Sequence, residues 1–262
     1  LLKDQNFKNY IINTAQGAAN QASITLDSIF RFQFFKPILN IQHKIAAILT
    51  AYDDLIETNN RRIALLEKMV EELYREWFVR MRFPGYQTTK CVKGVPEGWK
   101  ETSLGKIAFF TMGQSPKSEF YNEIGEGLPF HQGVGTYGDR FPRKVTFCTV
   151  DGRRAQAGDI LFSVRAPVGR LNIADCEMII GRGLAAIRHR RGRNSYLYYL
   201  LKVIFSNEDI IGNGSIFNSV GKDELSRFGL HGPPETLVDE FEMIASPIDQ
   251  QINALIYSIT NL

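Results

Sequence analysis

The sequence predicts an α+β protein, in which a strand-rich mixed domain is attached to long helices that pair as a coiled coil. Three observations carry that prediction. An apolar heptad runs for roughly forty residues after Pro37, short apolar runs divided by Gly and Pro fill residues 95–232, and a stretch near the start of the chain returns near its end, displaced by 196 residues.

Each element follows in order. Ile41, Ile45, Ile48, Tyr52 and Leu55 step alternately by four and three, and Ile63, Leu66, Val70, Leu73 and Trp77 resume the pattern. That is the seam of a helix opened by Pro37, stopped by Phe83-Pro84-Gly85, and about 60 Å long at 1.5 Å per residue. Between Leu55 and Ile63 two steps of four pass through Asn59, a stutter that puts an amide on the seam. The amide either fixes register with a partner helix or is a tolerated polar break. One apolar stripe on a Glu-, Arg- and Lys-rich rod needs a surface to lie against.

The offset of 196 aligns Ser23 with Ser219, Asp27 with Asp223, Arg31-Phe32 with Arg227-Phe228, Pro37 with Pro233, Ile48 with Ile244, Asp53 with Asp249, Ile56 with Ile252 and Ile63 with Ile259. Two copies of one domain-to-helix boundary are therefore expected. The chain reads as the tail of a first unit (1–36), a spacer helix (37–82), a linker (83–94), a complete second unit (95–232) and the start of a second helix (233–262). Within the second unit, Ile107–Thr111, Ile160–Phe162 and Leu184–Ile187 read as strands, Ser195–Phe205 as a helix, and Gly212–Gly214 as a loop leading towards the second helix.

Composition narrows the chemistry. No apolar run approaches the roughly 18 residues of a membrane span, and no signal-peptide core opens the chain, which points to a cytoplasmic protein without a membrane. Cys91, Cys148 and Cys176 lack metal-site or disulfide spacing, and His43, His131, His189 and His231 are scattered. No metal ligand set and no catalytic residue is proposed. Net charge is only +3, yet residues 143–193 hold eleven basic residues against four acidic, nearly all of the basic ones Arg. Arg donates two parallel hydrogen bonds to phosphate or to a guanine edge, so the surplus points towards nucleic acid.

Several stretches together resemble the specificity subunits of type I restriction-modification systems: GVPEGWKETSLGKIA (94–108), GQSPKSEFYNEIGEGLPFHQG (113–133), GDILFSVRAPVG (158–169), GRGLAAIR (181–188), and the junctions at Pro37 and Pro233-Pro234. The resemblance covers nearly the whole chain. It implies target recognition domains that each read half of a split double-stranded DNA site, held apart by paired helices that dock methyltransferase subunits and, through the complex, restriction subunits. It also implies a non-catalytic chain without a cofactor of its own; S-adenosylmethionine, ATP and magnesium are expected only on partner subunits. This sequence departs from the pattern in carrying one complete recognition domain and a second helix that stops at Leu262. It is therefore either a fragment of a longer subunit or a half-length form that self-associates. Outside the family, a coiled-coil scaffold that binds only protein remains open, as does the specificity module of a related type II restriction-methylation system.

On this reading Gln114, Ser115, Lys117, Ser118, Gln132, Tyr137, Arg140, Arg143, Lys144, Arg153, Arg154, Arg165 and Arg170 are the candidate DNA-binding residues. Gln114, Gln132 and Tyr137 lean towards bases and the cations towards the backbone. Arg182, between two glycines, reads as structural. Ile45, Ile48, Tyr52, Leu55, Asn59, Ile63, Leu66, Val70, Leu73 and Trp77 form the expected coiled-coil and partner interface, with methyltransferase docking near Arg61–Trp77 where charge and an exposed aromatic coincide; a buried core role for Trp77 is the equal alternative.

Overall fold

The computed structural model describes residues 4–15, 23–206 and 219–262, and the Gly212–Gly214 loop lies outside them. Two compact units divide the chain, Leu1–Glu57 and Thr58–Leu262.

In the first, helix α1 (Gln5–Thr14) starts where the Asp4 carboxylate accepts a hydrogen bond from Phe7 N at 2.9 Å, and α2 (Leu26–Phe30) where the Thr25 hydroxyl accepts one from Ser28 N at 3.2 Å. Phe32 packs edge-on against Phe7, with ring centroids 5.0 Å apart. Helix α3 (Leu39–Tyr74) follows Pro37 and continues past Glu57. Along its early turns Ile45, Ile48, Tyr52 and Leu55 are 43–58 % exposed in this chain.

The second unit holds the rest of α3, where Asn59 and Val70 are buried and Ile63, Leu66 and Leu73 half-buried. The helix ends in a π-helical turn, Arg75–Val79, that the heptad did not foretell. The expected linker is partly structured. Strands β1 (Cys91–Val92) and β2 (Val95–Pro96) close a hairpin over Lys93 and Gly94, whose φ values of 52° and 79° give the paired left-handed turn suited to two-residue loops. Strand β3 (Lys100–Ser103) leads through α4 (Leu104–Ile107) into β4 (Ala108–Met112).

The middle of the chain supplies β5 (Tyr121–Asn122), β6 (Leu128–His131), β7 (Phe147–Cys148), β8 (Arg154–Ala155), β9 (Ile160–Ser163), β10 (Leu171–Ile173), β11 (Met178–Ile180) and β12 (Leu184–His189). Helices α5 (Asn194–Ser206) and α6 (Lys222–Arg227), strand β13 (Gly229–Gly232) and helix α7 (Glu235–Thr260) complete it. Strand β13 pairs antiparallel with β3, so the strand-rich part of the chain closes on itself just before α7 departs.

One sheet has the order β10-β9-β12-β4 and is antiparallel throughout; the other has the order β5-β7-β6-β11-β8, with β6 and β11 parallel. Strand β9 is buried on both faces, which explains why it reads as an unbroken apolar run. Ile160 and Phe162 belong to a core shared with Leu197 and Tyr199 of α5, Val70 and Tyr74 of α3, and Phe241 and Ala245 of α7. Leu161 belongs instead to a core with Met178 and Ile180 of the second sheet. The layers run sheet, sheet, helices. Each fully buried Leu, Ile or Phe in them contributes about 1.5–3 kcal/mol.

The repeat reappears in three dimensions. Helices α2 and α6 begin at Leu26 and Lys222, and α3 and α7 at Leu39 and Glu235, both pairs 196 residues apart. Of the two roles open to Trp77, its burial selects one. Trp77 is 8 % exposed, its ring edge-on to Phe241 at 6.0 Å, so it is core between α3 and α7 and not an exposed docking aromatic.

Candidate nucleic-acid interface

Strands β6 and β11 run parallel, so both end on the same edge, at Gln132 and at Gly181-Arg182. Three glycines let the backbones meet there. A Cβ on Gly113 would lie 2.1 Å from Gly181 O, one on Gly181 would lie 2.6 Å from Gln132 Oε1, and one on Gly183 2.5 Å from Gln132 O. No side chain fits at any of the three. Gly113 N donates to Leu184 O at 2.9 Å, Gln114 N to Ile180 O at 2.9 Å and Gly183 N to Gln132 O at 3.1 Å. The Ser115 hydroxyl donates to Gln132 Oε1 at 2.7 Å and accepts from Arg182 N at 3.1 Å.

This crossing brings Gln114, Ser115, Gln132 and Arg182 together on one rim. Gln114, Gln132 and Arg182 are exposed, and Arg182 has no carboxylate partner among the described residues. Its flanking glycines suggested a structural role from sequence alone. Those glycines serve the backbone contact, and the arginine itself is exposed. Val164 N donates to Gly183 O at 2.9 Å, which carries exposed Arg165 to the same neighbourhood. On the far side of that turn, exposed Arg170 lines a groove of about 420 Å³ with Asp139, Tyr198 and Lys202.

The other candidates divide by burial and pairing. Lys117 and Ser118 are exposed beside the rim loop, Lys117 3.7 Å from Glu119. Arg143 and Arg153 are exposed, Arg143 donating to Gly135 O at 3.5 Å. Lys144 is paired with Asp175 at 2.7 Å, a hydrogen bond that raises its pKa, and Arg154 with Asp151 and Glu177 at 2.9 and 3.0 Å.

Two residues are corrected. Arg140 is 3 % exposed and turned inward onto Asp249, so it offers nothing to an outside duplex. Tyr137 packs against the core of the second sheet with its hydroxyl buried and unpaired, and burial pushes its pKa up; it is unsuited to reading a base. The arginine surplus is also divided. Arg188 pairs with Asp159, Arg191 with Glu235 and Arg193 with Asp239, while Arg190 donates to Gly105 O and lies over the Phe109 ring. Those four are occupied within the fold, away from the rim.

A family model described as Type I restriction modification DNA specificity domain matches residues 1–68 and 96–258. The chain belongs to this family. The unmatched 69–95 of this specificity-domain chain hold the end of α3, the π-helical turn and the β1 residues. Among its relatives, the putative type I restriction enzyme MjaX specificity subunit of Methanocaldococcus jannaschii is 35 % identical over 239 residues, covering 89 % of this chain and 56 % of that protein. The HsdS subunit of Thermoanaerobacter tengcongensis superposes with a TM-score of 0.53 at 28 % identity, over 95 % of this chain and 62 % of that one. The type I S subunit of M. genitalium shares the fold, with a TM-score of 0.63 at 16 % identity over 98 % of this chain and 69 % of that one. The chain spans about half the length of the curated relatives it matches.

Proposed function

We propose that this chain reads one half of a bipartite double-stranded DNA target through the rim of Gln114, Ser115, Gln132, Arg165 and Arg182, and that its helices dock methyltransferase subunits. What carries the reading is the rim itself: exposed amides and exposed arginines without a carboxylate partner among the described residues, beside a three-glycine backbone crossing, in a member of a DNA specificity family. The chain's contribution is geometry. Methyl transfer and cleavage belong to partner subunits, where S-adenosylmethionine, ATP and magnesium would act. Among the described residues no group of His, Cys, Asp and Glu is placed to hold a metal, and no helix is long and apolar enough to cross a membrane. Purified chain incubated with S-adenosylmethionine is expected to transfer no methyl group to DNA; transfer would overturn the non-catalytic assignment.

A salt titration of binding to target duplex is expected to give a log-log slope of about −0.9 per phosphate contacted. Arg182→Ala is expected to weaken binding by about 1–3 kcal/mol if it reads a base, and to relax preference at one position. Loss spread evenly over all sequences would make it a phosphate contact instead. A salt-independent affinity would favour a protein-only scaffold.

Helix α3 is proposed as a ruler. Inserting one heptad beside Asn59 lengthens it by about 10 Å, which is about three base pairs at about 3.4 Å per step. Mapped methylation sites of the assembled complex are expected to show half-site spacing longer by that amount, and unchanged spacing would refute the ruler.

A further inference from the structure

The loop between β6 and β7 is tied down on both sides. Tyr137 bridges Pro142, Gly138 N donates to Phe141 O at 3.1 Å, Asn172 Nδ2 donates to Gly138 O at 2.9 Å, and Ile173 N donates to Arg140 O at 2.8 Å. From its tip the Arg140 side chain passes into the interior. Its Nη2 donates to Asp249 Oδ1 at 2.6 Å, Nε to Asn253 Oδ1 at 3.0 Å and Nη1 to Glu67 Oε1 at 3.4 Å, and the guanidinium lies over the Tyr198 ring. Asp249 also accepts from the Tyr199 hydroxyl at 3.0 Å. Next to Arg140, Phe141 stacks on Tyr257 with centroids 5.6 Å apart and planes 14° from parallel.

Asp249, Asn253 and Tyr257 recur every fourth residue, so they form one stripe of α7, and Glu67 comes from α3. One loop of the recognition unit therefore grips three successive turns of one helix and a turn of the other. Burial works against the Arg140 charge, and Asp249 together with Tyr198 and Tyr199 more than offsets it, so the group stays charged with a raised pKa. An apolar pair of equal volume would hold these elements together at least as well, because desolvating two charges consumes most of their mutual attraction. What the ion pair adds is direction: a planar fork met by three acceptors defines an angle as well as a distance.

We propose that Arg140 is a positioning residue, whose clamp on Asp249, Asn253 and Glu67 fixes the angle of the recognition unit to α3 and α7 and so determines which half-site spacings the assembled complex accepts. This rests on the DNA-reading function proposed above. Gln132 of the rim lies in the same loop, so the clamp joins the proposed reading surface to the helices through eight residues of one loop.

The test uses the complex of the native chain with its modification subunits, assayed for methylation of duplexes carrying the target with its spacer at native length or changed by one base pair. Arg140→Lys, which keeps the charge and loses the fork, and Asp249→Asn are expected to reduce discrimination between spacers by about tenfold. The penalty for a wrong base within a half-site is expected to stay as it was. Folded variants that discriminate spacers like the wild type would overturn the inference. Should a single variant fail to fold, the Arg140→Met, Asp249→Leu pair leaves neither of these two buried charges facing a missing partner, and its spacer discrimination decides the matter in the same sense. A wild-type complex that methylates without sequence preference would overturn the underlying reading, a result distinct from retained spacing in the variants.

Discussion

Lowering the pH from 7 to about 4.5 is expected to cost this protein several kcal/mol of folding stability, and the cost traces to two buried histidines. His131 is fully buried, with Nδ1 2.8 Å from the Thr136 hydroxyl and no partner at Nε2 among the described residues; burial brings its pKa down to about 4, opposed by Asp175 and aided to a smaller extent by Lys144. His189 is also brought to about 4 by burial and by Arg193 and Arg191. Both rings are neutral in the native state, whereas in the unfolded chain they protonate near the ordinary value of 6.5. Above 6.5 neither state binds the proton and the histidines leave stability unaffected. As pH falls from 6.5 towards 4 only the unfolded state gains protons, and each ring withdraws up to about 3 kcal/mol before the loss levels off.

Glu242, whose carboxyl is pushed up by burial beneath the Ser195 and Tyr196 amides, works the other way between its raised value and 4.5. Below 4.5, Glu71, Asp239 and Glu177 add to the loss, since their pKa values are lowered by cationic and hydrogen-bonding partners. Urea denaturation at pH 7, 6, 5 and 4.5 checks the expectation, with His131→Asn and His189→Asn each flattening the slope. Stability that is level across this range would show that the two rings are hydrated.

Trp77→Ala is expected to cost about 3–5 kcal/mol, the usual range for removing a large buried aromatic. The ring is edge-on to Phe241 and Phe78, and Phe78 in turn meets Tyr74, Tyr196 and Phe241. These five rings are the joint between the end of α3, the start of α5 and α7, so the cavity opens where three helices meet and cannot close by moving one of them. The measurement is the urea midpoint of the chain alone. A Trp77→Ala chain as stable as the wild type, but deficient in assembly, would restore Trp77 as a docking residue.

The sequence was a good guide wherever a pattern is local. The heptad, Pro37, Pro233 and the 196-residue offset located both helices, and the apolar runs located β4, β9 and β12: β9 and most of β12 are buried on both faces and need no neighbour to be recognised, while β4, with Phe109 exposed, was found from its apolar run alone. The second sheet was not legible. Strands β5, β7 and β8 have two residues each, β6 contains Pro129, and the parallel pairing of β6 with β11 joins segments nearly fifty residues apart. The rim was half legible for the same reason. Gln114, Ser115 and Gln132 stood out as polar residues in loops, but Arg182 became a candidate only when Gly113, Gly181 and Gly183 were seen to serve one another. Arg140 misled because a guanidinium has the same composition signal whether it faces solvent or three acceptors inside the fold.

The glycine crossing has a consequence for how such a surface can change. Gly113, Gly181 and Gly183 are constrained by close approach of their neighbours, Gln132 among them, while Gln114 and Arg182 are exposed beside them. On the function proposed above, exchanging those two exposed residues would alter what the edge binds while leaving the glycine contacts in place. Under that proposal, novel target preferences would be accessible through single substitutions on an unaltered frame, whereas a methyl group on any of the three glycines would collide with the frame itself.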